Sequence, residues 1–137
     1  MNLFKQFREI YTEVANAVLA EYPDCRITNA FIYAPSVFPA VAIVLSDDGT
    51  KYDTRDSSKI DKFRDITVTV DVYSNKAEGK KTEAETIAQI VIDTLYPLNF
   101  NMVSCRPASD INNASNYRIT ATFTATVDSN GIIYTRR

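Results

Sequence analysis

A basic pair behind a glycine, Gly79-Lys80-Lys81-Thr82, stands between an alternating strand and an amphipathic helix, where a phosphate-binding loop would lie. Such a loop cradles phosphate with backbone N–H groups and reaches it with one lysine. The pattern fails twice, because Ser74 stands where the first glycine is required and Lys81 separates Lys80 from Thr82. A solvated turn ahead of a helix accounts for these residues. A second group, Asp47, Asp48, Asp53, Asp56 and Asp61, offers the oxygen ligands that calcium takes. A calcium loop counted from Asp47 would put Gly49 and Lys51 at ligand positions and Ser58 where a bidentate Glu belongs, which rules that motif out. Lys51, Arg55, Lys59 and Lys62 interleave with these acids, as in a solvated loop or a polar protein interface. A cation held jointly by several subunits is the one metal arrangement left open.

The chain has no histidine. Ser-His and Cys-His nucleophile pairs and imidazole metal ligands are therefore absent. Cys25 and Cys105 lie far apart and form no Cys-x-x-Cys pair. They read as small buried hydrophobes in a reducing compartment, with a single disulfide open if their strands are neighbours. What remains for catalysis is carboxylates alone, such as Asp71 with an acid from the 47–61 stretch. That would need a concave pocket and raised carboxylate pKa values. No enzyme activity and no cofactor are expected.

Bulk properties narrow the classes further. A chain of 137 residues suits one domain, with 45% apolar and 23% charged residues as in globular proteins. A net charge of −2 and a pI near 5.1 do not suit a protein that grips nucleic acid through its phosphates. The longest apolar run, 38–45, is far shorter than the roughly 20 residues of a membrane helix. Charges at Lys5, Arg8 and Glu9 interrupt any secretory apolar core. The expectation is a soluble protein made inside the cell, without a membrane partner. On that expectation the sequon at Asn113 goes unglycosylated.

The elements that must position these residues follow from periodicity. Leu3, Phe7, Ile10, Tyr11, Val14 and Val18 form one helical stripe, ended by Pro23. Cys25 to Tyr33 reads as a strand broken by Pro35, and Ala40 to Leu45 as a strand covered on both faces. Ser46 to Lys62 shows no period and reads as a long mobile loop, with a hairpin as the alternative. In the third strand Ile66, Val68, Val70 and Val72 face one way, and Thr67, Thr69, Asp71 and Tyr73 the other. Thr82 and Glu85 have capping-box spacing ahead of a helix striped by Ala84, Ile87, Ala88, Val91 and Leu95.

Phe100 to Cys105 reads as a fourth strand and Pro107 to Asn116 as a polar loop. A fifth strand turns Tyr117, Ile119, Ala121, Phe123, Ala125 and Val127 inward. Its outer threonines, Thr120 to Thr126, lack the aromatics on which RNA bases stack. Residues 132–134 return as an edge strand after the turn 128–131. The expected architecture is a single α+β domain, with two amphipathic helices packed on one face of a mainly antiparallel sheet.

Several segments, in order, carry a resemblance. They are Phe38-Pro-Ala-Val, the polar loop with Tyr52 and Thr54, and Val70-Asp-Val-Tyr-Ser-Asn75. Gly79-Lys-Lys-Thr-Glu-Ala-Glu85, Tyr117-Arg-Ile-Thr120 and Ile132-Ile-Tyr-Thr-Arg136 follow. Together the chain resembles the tail terminator (tail completion, minor capsid) proteins of long-tailed phages and prophages of Gram-positive bacteria. The resemblance implies a virion protein, made in the host cytoplasm, that forms a ring, commonly a hexamer, on the head-proximal end of the tail tube. Its implied partners are further copies of itself, the tail tube protein and head-completion or connector proteins. DNA passes through the ring without being bound specifically. The rival readings are another connector or head-closure protein and, from a different class, a small regulatory ligand-binding domain.

A ring needs two different faces that meet with a closing rotation. On the residues themselves, Tyr52, Asp53, Thr54, Arg55 and Asp56 are expected at the subunit interface, anchored by Tyr52 and Arg55. Lys80 and Lys81 are expected to dock acidic patches of tail or head proteins, outside the bore.

Overall fold

A computed structural model of the chain describes residues 3–30, 37–50, 63–108, 116–128 and 133–134. Helix α1 spans Leu3–Glu21 and is followed by the short strand β1, Arg26–Thr28. Strands β2 (Ala40–Thr50) and β3 (Phe63–Ser74) lead into helix α2, Lys80–Leu95. After a 3-10 turn at Tyr96–Leu98 come β4 (Asn101–Ala108), β5 (Tyr117–Asp128) and β6 (Ile133–Tyr134). The sheet order is β1-β2-β3-β5-β4, with β6 also beside β5. Every pairing is antiparallel except that of β1 with β2. This is the α+β arrangement that the periodicity predicts.

Both helices lie on one face of the sheet. Their buried residues, among them Val14, Val18, Ile87, Val91 and Leu95, join Val41, Ile43, Ile66, Val68, Val70, Val72, Ala121 and Phe123 in one core. The period of 2 in β3 and β5 meets the period of 3.6 in the helices, and the register Val68↔Phe123 and Val70↔Ala121 aligns the two inner faces. Tyr11 Oη donates to Ile27 O at 3.2 Å, which sets α1 over the β1 side. Helix α2 packs on β3 and β5. Strand β2 is covered on both sides, as its apolar run predicts. Val41 and Ile43 face the helices, whereas Ala40 and Ala42 pack with Tyr73 and Phe38 on the back.

Four segments differ from the sequence reading. Strand β2 does not stop at Leu45 but continues to Thr50, paired through Thr50↔Arg64 after an irregularity between Leu45 and Asp47. Backbone pairing with β3 supplies the order that side-chain periodicity does not signal. Strand β1 is only three residues long, and Tyr33 and Pro35 lie outside the described residues. Strand β4 runs on to Ala108 and includes Pro107. An edge strand has one side free of the ladder, where a missing N–H costs nothing.

The fourth difference is the cap of α2. The N-cap is Gly79 at φ 83°, so Thr82 and Glu85 sit inside the helix and form no capping box. Thr82 O instead accepts from Thr86 Oγ1 at 2.8 Å. Glu83 takes the anchoring role, accepting from the buried Ser74 Oγ at 2.8 Å and so tying the end of β3 to the first turn. The turn out of β3 has a positive φ at Gly79, which glycine adopts freely, and the helix starts three residues earlier than the capping box implies.

Candidate assembly surface

Two helices packed about 10 Å apart span roughly 20 Å, enough to cover about four strands at their usual ~4.8 Å spacing. The sheet has five strands across. Helix α1 covers the β1 side and α2 covers β3 and β5. Among the described residues the inner face of β4 is therefore left largely bare, bordered by α2 only at Lys81 and Glu85. None of its residues is buried, with Met102 38% and Val103 62% exposed. The register puts Met102 opposite Phe123, Cys105 opposite Ala121 and Pro107 opposite Ile119. Each of these β4 residues continues the helix-covered row of β5 beyond the last helix. A register irregularity between Met102 and Ser104 makes room for Val103 as an extra residue that juts from the edge.

At one end of this bare strip the surface becomes a groove of about 310 Å³, lined by Lys81, Glu85, Cys105, Arg106, Pro107 and Tyr117 among others. Lys80 is half-buried and Lys81 exposed in the first turn of α2. A cation there opposes the helix dipole, at a cost of about 0.3–1 kcal/mol per charge. Of the two lysines expected to dock partners, the structure places Lys81 beside β4. Tyr52, Asp53, Thr54, Arg55 and Asp56, the predicted subunit-interface residues, lie outside the described residues, as do Arg136 and Arg137. Sequence reasoning missed Met102 and Val103, whose apolar character reads equally well as an inner row.

The back of the sheet carries a polar cluster. Asp71 Oδ1 accepts from Arg118 Nε at 3.2 Å, Arg118 Nη2 at 3.0 Å and Thr120 Oγ1 at 2.6 Å. The Arg118 guanidinium lies 5.5 Å from the centroid of the Tyr73 ring, and Tyr73 itself is buried. Asp71 is thus an anchored structural anion, engaged by its cross-strand neighbours. It does not take the part of a free base. The outer threonines make similar ties, with Thr126 Oγ1 donating to Asp65 Oδ1 at 2.7 Å and Thr124 Oγ1 to Ile66 O at 3.1 Å.

Cys25 precedes β1 and Cys105 sits on β4, at opposite edges of the sheet, and both are free thiols. Cys25 is buried as expected, with its pKa pushed up to about 11 by burial and then by the nearby Glu83 carboxylate. Cys105 is exposed, in the open groove between the start of α2 and β4. The described residues contain no cluster of metal-ligating side chains and no helix long and apolar enough to cross a membrane. A second, open depression of about 390 Å³ is lined by Arg8, Glu9, Thr12 and Glu13. Neither concavity is a closed apolar pocket of the kind that holds a metabolite.

No family model and no curated protein matches the chain. Among solved structures it is similar to a chain in the virion of a native gene transfer agent (GTA) particle. The two share a fold at a TM-score of 0.66 and 15% identity, over 88% of this chain and 92% of that one.

Proposed function

We propose that this protein is a structural virion component of the tail terminator type. It forms a ring, hexameric in the fullest form of the reading, that caps the head-proximal end of a tail tube. There it halts tube polymerisation and presents the surface on which head-completion proteins dock. The observation that carries the reading is the end-to-end likeness of fold to a chain of a virion particle. It agrees with the family resemblance read from the residue motifs. The bare inner face of β4 is the kind of surface that an assembling subunit keeps open. On this reading the protein acts through surfaces and catalyses nothing. The stretch Tyr52–Asp56 serves as an arm across a neighbour, and Lys80 and Lys81 meet acidic partners.

The test is direct. Purified protein is added to polymerising tail-tube protein, and tube lengths are measured by electron microscopy. Capping predicts tubes that stop growing and carry a ring at one end. Tubes that lengthen as before, with the protein bound to portal or adaptor complexes instead, would make it a head-closure protein.

A further inference from the structure

We infer that the bare inner face of β4 receives helix α1 of a second copy of this chain, so that the helix layer continues across the subunit boundary. The inference rests on the ring reading and specifies which two faces meet. The two edges of the sheet are unlike. One carries β1 with α1 above it, and the other carries β4 with nothing above it among the described residues. A closed ring requires such a pair of non-identical flanks. The uncovered width is about one strand beyond what two helices span, and a third helix fits there.

Charge identifies the occupant. Helix α1 ends with Glu21 in its last turn and the exposed Asp24 just beyond, with no basic residue in that turn. Helix α2 begins with Lys80 and Lys81, with Glu83 also in its first turn. The acids at the end of α1 and the two lysines at the start of α2 each have the sign that the dipole there disfavours. The groove, with Lys81 and Arg106 against Glu85, keeps a net positive charge. The chain path also places these ends at the same end of the molecule. Helix α1 runs straight into β1, which is parallel to β2 and so antiparallel to β3, whose last residue leads into α2. The helices are consequently antiparallel. In a ring whose axis runs along the strands, the acidic end of α1 in one copy reaches the Lys81–Arg106 groove of the next. Two local penalties of opposite sign then offset each other. Leu19, 38% exposed on the same flank of α1 as Tyr11 and Ala15, supplies an apolar contact for Cys105 and Pro107. Lys81 thereby has a nearer partner than the head or the tail.

The test is charge reversal with complementation, followed by analytical ultracentrifugation across a wide concentration range. Lys81→Glu with Arg106→Glu, or Glu21→Lys with Asp24→Lys, should each weaken self-association roughly tenfold to a hundredfold. Mixing the two variants one to one should restore assembly, because the acidic groove of one meets the basic helix end of the other, and their two unaltered flanks also match. Thermal melting of each monomer should stay near the wild-type value, since Lys81→Glu, Glu21→Lys and Asp24→Lys each suit the local helix dipole and Arg106 is an exposed strand residue, and this separates lost contact from lost folding. As a second measurement, Leu19→Cys oxidised with diamide should crosslink to the native Cys105 of a neighbour, and Cys105→Ser should abolish the crosslink. If wild type assembles but neither reversal weakens it, or the mixture fails to recover and no crosslink forms, this placement is overturned and the ring reading stands. If wild type stays monomeric at every concentration and on tail tubes, both are overturned.

Discussion

Strands β3 and β4 belong to one sheet and share β5 as a neighbour, yet they are built for different surroundings. In β3 the inward residues Ile66, Val68, Val70 and Val72 are all essentially unexposed, and even its outward Asp71 and Tyr73 are buried. In β4 no residue is buried. The difference does not come from apolar content, since Met102, Val103 and Pro107 are as apolar as their counterparts. It comes from position. A strand in the centre is hydrogen-bonded on both sides and lies beneath a helix, whereas β4 has one neighbour among the described residues and only the start of α2 beside one end. Apolar side chains left in such a place mark a surface that another molecule finishes.

The contrast should appear first in stability. Phe123, fully buried in β5, should cost about 3–5 kcal/mol when changed to Ala, while Met102→Ala, its direct partner in β4, should cost under about 1 kcal/mol. Urea unfolding of the monomer measures both. Equal losses would mean that the inner face of β4 is covered after all.

Next comes the back face. Arg118→Met removes the partner of Asp71 and should cost about 3 kcal/mol, because a buried carboxylate is left without its cation. Asp71→Asn keeps the acceptor oxygen for Thr120 and should cost less. A reversed order would mean that the Asp71 carboxylate matters more through Thr120 and its other neighbours than through Arg118.

The two thiols sharpen the comparison between covered and bare regions. Cys105 should react readily with a thiol reagent in the native protein, and Cys25 only on unfolding. The Cys25 pKa rises from 9.0 to about 11 on folding, so both states hold the proton below pH 9. Between about pH 9 and 11 the unfolded thiol ionises while the folded one does not, and stability falls as pH rises. Cys25→Ser should remove that part of the slope in denaturant midpoints taken across this range.

Smaller still is the effect at Gly79. A Cβ there would meet nothing within 4 Å, so Gly79→Ala should cost only the backbone penalty of a positive φ, about 1–2 kcal/mol by thermal melting. Smallest is Val103→Asp, which should change monomer stability by under about 0.5 kcal/mol while weakening self-association. A large loss of stability in the isolated monomer would show that Val103 is covered within its own chain.

The helix stripes and the alternation in β3 and β5 were legible because each buries one face, so the periods of 3.6 and 2 are written into the residue types. Ser46–Thr50 could not be read as strand, because pairing with 64–67 orders them whatever their side chains are. The capping residue was misread because Thr82 and Glu85 satisfy a pattern that the turn geometry at Gly79 overrides. Of the candidate surface, Lys80 and Lys81 were visible as a basic pair. The bareness of β4 was not, since it depends on how many strands two helices can cover, a property of the assembled layers and not of any segment.

The strand order also has a consequence in time. Among the described residues strand β4 pairs only with β5, which follows it in the chain. The β2–β3 hairpin can close early, but the pairing of β3 with β5 must wait for the whole of 75–116, a separation that slows folding through loop-closure entropy. Until β5 arrives β4 has no ladder to join, and its outer edge does not exist as a surface. A half-made chain therefore lacks the composite surface of β4 on β5, and the capacity to associate through it comes only once β5 has paired.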